Sequence, residues 1–438
     1  MSLNFLEHAL KYCATRAWLI VAFFALPIFA ASVVKGTPGK IITSDGNAYY
    51  AWLTTLAADG DLKFRNDFMN LYSPDPVDWI EKTEGEIKNV TPPGMALIMA
   101  PGFLVAHGVA TLAQAATGVP ITPYDPLYKN ITGLWLFLLF LFGVASFQRV
   151  MENFTGHSAF AVGFTLLAVL GTNLVHYIAK EPSMGHATVF TLTSIATRIL
   201  LEQKPTTFNA RAWLTAGALV GLLAIVRNST VVLLPWWLAL GLVQTAGSWS
   251  NRWRSGLCAG SAAALVFAVQ PLMLSLMTGS FTLNGYSTYG FSSGFEGVWK
   301  GLLSARHGLL AYHPVWVGIL GGVVFSLKLS ALRPYALAAL VCFSGAVIIN
   351  GTWPFWWFGD SFGNRAYIDV LAPCAAVAGA ALYSVLKPFE EIKTRFVAAC
   401  IAGAFISANL VLWLGYLLRR YPSDGLHSYS EAWLWWLK

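Results

Sequence analysis

Residues 17–34 read AWLIVAFFALPIFAASVV, an apolar run without a single charge. A bilayer's hydrocarbon core is about 30 Å thick and takes about 20 helical residues to cross. Backbone groups in lipid find no water to bond, so such a run must be a helix. Lys11 and Arg16 stand before it, which places the N-terminus on the cytoplasmic side. Lys35 and Gly36 follow without a small-residue cleavage pattern, so the run is read as a first, uncleaved membrane helix.

The pattern of that run repeats along the chain. Further apolar runs fall near 94–115, 131–147, 158–178, 185–203, 212–226, 230–247, 256–277, 310–327, 334–350, 366–386 and 395–417. The 438 residues are 56% hydrophobic and only 11% charged, against about 25% charged in soluble proteins. The runs are too long and too uniformly apolar for the alternating strands of an outer-membrane barrel. The formal charge of +7 lies in short connections between runs, which excludes a nucleic-acid surface on a soluble domain. Cys13, Cys258, Cys342, Cys374 and Cys400 are scattered in or beside apolar runs and form no metal-type or disulfide framework; they read as small buried hydrophobes.

Lysine and arginine concentrate around Arg149, Lys204 with Arg211, Arg252 with Arg254, Lys328 with Arg333, and Lys387 through Arg395. If those connections are cytoplasmic, the segments 179–185, the Arg227 turn, 278–309 and 351–365 face outward. Only one net crossing then fits between residue 35 and Arg149. The run 131–147 is assigned to it. The run 94–115, carrying Pro101 after Pro92 and Pro93, is expected to lie along the membrane or to enter and return. The expected architecture is an all-α polytopic membrane protein, a single unit over 1–438 with about 11 crossings. Residues 35–130 form a long outward first loop with interfacial helices, and 419–438 an outward interfacial tail. Within the first loop, NAYYAWLTTLAADG (47–60) has helical spacing and ends at Gly60.

Chemistry-bearing residues gather in the outward segments. Asp45, in SDGNAYY, is the first candidate: a carboxylate able to take a proton from an acceptor hydroxyl, with Gly46 allowing a turn or a close ligand approach. It also fits a helix N-cap. Glu181 and His186, in KEPSMGHA, sit in a very short outward loop near low dielectric, where unpaired charge is costly. Glu181 is read either as a second functional carboxylate or as a cap. Asp45, Glu181 and His186 together could hold a metal, although no spacing fixes them on one scaffold. Arg227, Arg306 and Arg365 are outward cations, against the positive-inside bias. Guanidinium groups clamp phosphate oxygens; the plain alternatives are snorkelling or an ion pair with Asp360 or Asp369. Trp353, Phe355, Trp356, Trp357 and Phe358 make an interfacial belt or a surface on which sugars stack. Tyr49, His186, His307, His313 and Trp357 complete the candidate substrate contacts.

SDGNAYY, NVTPPGMALIMAPGFLVAHG, EPSMGHA, LLAIVRNSTVVLLP, LLSARHGLLAYHP and WWFGDSFGNRAYIDVLAP, in this order across nearly the whole chain, resemble the bacterial GT-C glycosyltransferases related to protein mannosyltransferases and lipid A aminoarabinose transferases. The resemblance implies a GT-C membrane fold in the cell inner membrane, a polyprenyl-phosphate-sugar donor, and a glycan, lipid or protein acceptor. It implies Asp45 as catalytic aspartate, Glu181 as the second acidic position, and Arg227, Arg306 and Arg365 on the donor phosphate. Many relatives carry an acidic pair where this chain has Asp45-Gly46, which favours action without a metal, though some relatives use a divalent ion. The large soluble C-terminal domain of some relatives is absent. The expected reaction is sugar transfer with inversion at the extracytoplasmic face. The rival classes are a lipid or solute transporter, which would move its substrate without sugar transfer, and a non-catalytic envelope assembly protein, which would hold partners without turnover.

Overall fold

The structure, a computed structural model, describes residues 16–34, 41–72, 85–203, 208–245, 249–288, 290–291, 295–387, 392–422 and 428–435. Lys11, Cys13, Lys35, Lys204 and the stretch 73–84 of the first loop lie outside the described residues. Every regular element described is helical. After α1 (Ala17–Val34), the first loop folds as α2 (Asp45–Thr54), a π turn (Thr55–Asp59) and α3 (Arg65–Leu71). Then come α4 (Gly94–Thr117), α5 (Pro126–Thr155), α6 (Ser158–Leu170), α7 (Leu174–Ala179), α8 (Gly185–Leu201) and α9 (Ala210–Val226). A 3-10 turn (Asn228–Leu233) leads into α10 (Leu234–Gln244), followed by α11 (Trp249–Phe267), α12 (Val269–Thr278), α13 (Glu296–Leu303), α14 (Leu309–Tyr312), α15 (Val315–Ser326) and α16 (Arg333–Thr352). A second 3-10 turn (Arg365–Val370) precedes α17 (Leu371–Leu386), α18 (Ile392–Leu417) and the short α19 (Tyr429–Trp433).

Among the described residues, 7 helical stretches are long and apolar enough to cross a membrane. The chain is a multi-pass membrane protein. Its burial is graded from the inside out. Leu371 through Ala381 of α17 are all enclosed, and α8 is nearly so, while α1, α11 and α18 turn most of their surface outward. Local chemistry sets the ends. Pro126 opens α5, where its missing N–H costs nothing. Gly60 and Gly156 close their helices at φ 70° and 67°, which a side chain would resist.

The packing sorts the molecule into two ends. Ala17 N donates to Gln148 Oε1 at 3.0 Å, and Phe29 stacks on Phe137. Helices α1 and α5 therefore run antiparallel. Phe154 meets Tyr335, and His157 meets Tyr383, so the connections holding Arg149, Arg333 and Lys387 share one end. At the other end of α1, Lys180 Nζ donates to Ser32 Oγ at 3.1 Å.

Two expected single runs are interrupted. The run 158–178 breaks at residues 171–173, where Gly171 closes α6 and Thr172 Oγ1 bonds back to Ala168 O. The run 310–327 breaks at His313-Pro314, since proline cannot continue the preceding turn's bonding. The segment 94–115 differs from expectation in another way. Despite Pro101 it is one unbroken helix, α4, with the length and composition of a span. Its placement is not alongside the whole of α5, however. Trp135 Nε1 donates to Ile98 O at 2.8 Å, Gly102 abuts Trp135 and Thr132, and His107 meets Tyr128. The first residue, Gly94, lies against Ile225 and Val226. α4 thus keeps to the half of the molecule opposite Arg149.

The first loop is enclosed more than a surface helix would be. Gly46, Asn47, Tyr49, Tyr50, Ala51, Trp52 and Thr54 of α2 are buried; Trp52 Nε1 donates to Thr91 O, and Tyr50 to Pro123 O. Asp67 of α3 is fully buried. It accepts from Thr54 Oγ1 and, at 2.9 Å, from Tyr124, while its Oδ2 has no partner. Burial pushes this carboxyl up to about 6, with Asp59 adding to the shift and the hydroxyls of Thr54 and Tyr124 opposing it. The folded value is raised, so the stability Asp67 contributes is complete below about 4 and is lost as pH rises through about 6. Hydrogen exchange, corrected for intrinsic rates, is expected to show residues 45–71 better protected at pH 5 than at pH 7.5. Asp67→Asn is expected to flatten that difference, and an unchanged pH dependence in the variant would disprove the assignment.

Small residues set the closest helix contact. A Cβ on Gly217 or Gly221 of α9 would fall 2.1 Å from Ala259 O or 2.4 Å from Ala263 O of α11, the close backbone approach of a small-xxx-small seam. Gly217→Val is expected to cost about 1–3 kcal/mol through overpacking, read as a lowered thermal midpoint in detergent. Gly260→Val, where an added Cβ meets nothing within 4 Å, serves as the control. Equal midpoints for the two variants would contradict this packing.

Candidate functional site

Asp45 is the first residue of α2 rather than its N-cap; that place is held by Ser44, whose side chain makes no capping bond. Ser44 has φ 50° and ψ −127°, a strained conformation for a residue with a Cβ. The strain turns the chain so that α2 starts against the 181–184 loop. Gly46 makes that contact feasible, since a Cβ there would lie 2.1 Å from Ser183 Oγ. Here the glycine following Asp45 has a structural reason, the close approach of Ser183, whereas the sequence had suggested a turn or the approach of a ligand.

The carboxylate of Asp45 meets Arg365, 320 residues away in sequence, with Nη2 donating to Oδ2 at 2.8 Å. Asp45's side chain is 46% exposed and Arg365's only 8%. Arg365 stands at the start of the 3-10 turn that leads into α17. Its Nη1 lies 3.9 Å from Met184 Sδ, its guanidinium carbon 6.0 Å from the ring centre of Phe358, and its Nε is buried without a partner. Asp45 Oδ1 makes no hydrogen bond to the described residues, so one carboxylate oxygen is held and the other is open.

Four residues further along the same turn is Asp369. Arg227 Nε donates to its Oδ2 at 2.9 Å, with Ser229 Oγ at 3.3 Å, and His186 Nδ1 donates to its Oδ1 at 2.9 Å. Both carboxylate oxygens are engaged. The terminal nitrogens of Arg227 carry no hydrogen bond to the described residues, and its side chain keeps 15% exposure. Tyr49 stands between the pairs. Its hydroxyl has no hydrogen-bond partner among the described residues. Burial pushes it up to about 12 against the pull of Arg227, so it remains a donor.

The structure therefore brings Asp45, Tyr49, His186, Arg227 and Arg365 together, with Glu181 beside them. Glu181 Oε1 is 3.6 Å from His176 Nε2. The expected ion pairs are partly rearranged. Asp369 does pair with an outward arginine, Arg227. Asp360 instead takes Arg419 at 2.9 Å and Tyr416 at 2.6 Å. Asp45, Glu181 and His186 face three different partners, and among the described residues no three ligand-type side chains converge on a point that could hold a metal ion.

The remaining candidates form a second group. Arg306 lies 4.2 Å over the ring of Trp357, and His307 Nδ1 faces Trp357 O at 2.8 Å. This group reaches the first through the 357–365 segment, which also carries Phe358 and Arg365. His307 and Phe358, like Ser44, have positive φ. His313 is placed differently from the expectation of substrate contact. Its ring is fully buried, Nδ1 bonds Asn409 at 2.9 Å, and Gly363 packs on its Nε2. His186 likewise is 1% exposed, with Nδ1 on Asp369. Sequence reading missed His176 and Tyr177, which are fully buried in the apolar-looking stretch LVHYIA. A histidine inside such a run is the available signal.

No protein-family model matches this chain, and no curated protein matches it. Among solved structures, the crystal structure of ArnT from Cupriavidus metallidurans bound to undecaprenyl phosphate is similar, with a TM-score of 0.52 and 16% sequence identity over 96% of this chain and 74% of that chain. The likeness extends to the fold: an all-helical membrane architecture of the GT-C type.

Asp369→Ala would leave Arg227 charged and enclosed, an expected cost of about 3–5 kcal/mol. The double variant Asp369→Ala with Arg227→Met is expected to recover much of the lost thermal stability. A single variant as stable as the parent would refute the pairing as a structural necessity.

Proposed function

We propose that this chain is an inverting membrane glycosyltransferase that moves a sugar from a polyprenyl-phosphate donor to a hydroxyl acceptor at the extracytoplasmic face. The observation that carries the reading is Asp45: a carboxylate with one oxygen fixed by a buried arginine and the other open, half-exposed at the mouth of a two-arginine cluster. A GT-C-type fold similar to a protein solved with undecaprenyl phosphate supports a lipid phosphate as the partner. The proposed topology has the N-terminus and the Arg149 end in the cytoplasm, about 11 crossings, α4 in the outer half, and the cell inner membrane as host.

In the proposed step the acceptor hydroxyl gives its proton to Asp45 Oδ1 as its oxygen attacks the anomeric carbon. The bond from that carbon to the phosphate oxygen breaks, and its electron pair leaves with the polyprenyl phosphate. Charge growing on the phosphate is met by the terminal nitrogens of Arg227 and the hydroxyl of Tyr49. Arg365 acts on Asp45, fixing Oδ2 so that Oδ1 faces outward. Arg306 and Trp357 are placed at the rim, where a stacked ring and a cation suit a lipid-linked sugar. The scheme meets phosphate charge with guanidinium groups and calls for no metal, so full turnover after chelation is expected.

The test is sugar release from a panel of undecaprenyl-phosphate sugars by protein in lipid nanodiscs with envelope extracts as acceptor. Asp45→Asn, folded by thermal and chromatographic criteria, is expected to lose about 10²–10⁴-fold in turnover. Equal turnover would remove Asp45 as the base. Retention of anomeric configuration in the product would rule out direct displacement.

A further inference from the structure

Away from Asp45, toward the end of the molecule that holds Arg149, a cavity of about 520 Å³ opens between α15, α17 and α18, with α6 completing its wall. Its lining runs from Val315 to Phe325 on α15, from Ala378 to Leu386 on α17 and from Thr394 to Phe405 on α18. Thr394 carries the one polar side chain among the lining residues. Helices α15 and α17 are in tight contact, since a Cβ on Gly322 would lie 2.9 Å from Ala378 Cβ. Helix α18 meets α6 but stands off from that pair, and the cavity is the gap. Gly318 and Gly321 border open space: a Cβ on either would meet nothing within 4 Å.

Left empty, such a gap deprives its lining of dispersion contacts, and water would find too few polar partners in it. A hydrocarbon chain fills it, and the length suits one leaflet. Val315 and Phe325 are separated by about 15 Å of helical rise, and half of the bilayer core is about 15 Å. Apolar fit by itself selects no particular lipid, because all tails are equally apolar. Charge at the mouth does. Phe325 and Leu386, at the ends of the lining, stand just before Lys328 and Lys387. Both lysines are exposed, and neither ammonium bonds a described residue. Arg333, at the same end, holds the Leu327 carbonyl through Nε. In sequence, the connections 328–333 and 387–395 carry Lys328, Arg333, Lys387, Lys393 and Arg395 against Glu390 and Glu391, five cations less two carboxylates, or +3.

We propose that this cavity is a binding site for an anionic phospholipid of the leaflet at the Arg149 end, with one acyl chain between α15, α17 and α18 and the headgroup phosphate at Lys328 and Lys387. In the topology proposed above that leaflet is the cytoplasmic one, and basic pockets between membrane helices on that side suit anionic headgroups. A polyprenyl donor bound at Arg227 would carry its phosphate at the opposite end. The lipid bears on the candidate site through α18. Further along that helix, Asn409 bonds His313, Trp413 bonds His176 and Tyr416 bonds Asp360. A lipid that seats the first half of α18 steadies the half that backs the site.

The experiment titrates the full chain, in a neutral detergent, with phosphatidylglycerol, phosphatidylcholine and undecaprenyl phosphate, reading bound lipid by native mass spectrometry together with the thermal midpoint. The parent is expected to bind one phosphatidylglycerol at least about tenfold tighter than phosphatidylcholine, each ammonium near an anionic headgroup being worth about fivefold. Its midpoint is expected to rise on binding. Gly321→Leu, which puts a side chain into the cavity, is expected to lose both that lipid and the rise; Gly260→Leu on α11, outside the cavity, is expected to keep both. Lys328→Gln combined with Lys387→Gln is expected to bring the preference toward unity while the lipid-free midpoint stays at the parent's value, which separates a lost lipid from a damaged fold. Equal affinity of the parent for the two phospholipids, or an undiminished preference in either cavity or lysine variant, would overturn the site. Undecaprenyl phosphate that displaces phosphatidylglycerol and is itself lost in Gly321→Leu would overturn it too, by giving the cavity to the polyprenyl lipid. Either failure leaves the sugar-transfer reading as it stands, because no arm of the experiment measures turnover.

Discussion

Two guanidinium groups are held inside this protein close to the membrane's low dielectric, and each must be answered by a carboxylate. Arg227 and Arg365 are too deep for water to solvate them fully, and removing a partner from such a pair costs several kcal/mol. That requirement ties together parts of the chain that apolar packing alone would leave free to slide. Asp369 joins the end of α9 to the turn before α17, and its bond to His186 adds the start of α8. Asp45 joins the first loop to the same turn. The turn 365–370 therefore gathers the first loop, the end of α9 and the start of α8, and it is followed at once by the enclosed first eleven residues of α17.

The cost of this convergence is visible in the backbone. Two segments approach more closely than side chains allow, and glycine stands at the contacts: Gly46 on Ser183 and Gly363 on His313, while Gly185 makes a tight contact with the Arg227 side chain. Where no glycine is available the chain takes strain instead, at Ser44, His307 and Phe358, each conformation costing on the order of 1–3 kcal/mol. These strained residues adjoin Asp45, Arg306 and Trp357. Strain at such points persists only where the surroundings over-determine it, and the ion pairs supply that determination.

The fold was legible in the apolar runs because crossing lipid demands length and lack of charge, both properties of a contiguous stretch. What was not legible depended on distant partners. The breaks at 171–173 and 313–314 lie within stretches that remain apolar, so hydropathy alone passes over them. The segment 94–117 shows the limit well: composition makes it a span, and only its contacts with Val226, Trp135 and Tyr128 show that it stays in one half. Arg227 and Arg365 were singled out by charge on the unexpected side and Asp45 by its place in SDGNAYY close after the first helix, all local signals. Their pairing was not, because Arg365 and Asp45 are joined across the whole chain. His176 was missed because its partners, Trp413 and Glu181, sit on other segments.

Two aspartates here are paired with arginine, and geometry separates their roles. Asp369 has both oxygens engaged, by Arg227 and Ser229 on one side and His186 on the other, and its side chain is 4% exposed. A proton arriving there would have to displace a bond inside the protein. Asp45 has one oxygen engaged and nearly half its side chain in the open. Its Oδ1 is engaged by none of the described residues, so a group arriving there displaces no hydrogen bond inside the protein. Asp369 is therefore the carboxylate whose bonds are all made within the protein, and Asp45 the one with an oxygen left open, which is why the proposed reaction is built on it. The same reasoning divides the arginines. Arg365 uses a terminal nitrogen on Asp45, while Arg227, fixed to Asp369 through Nε, has terminal nitrogens that bond none of the described residues.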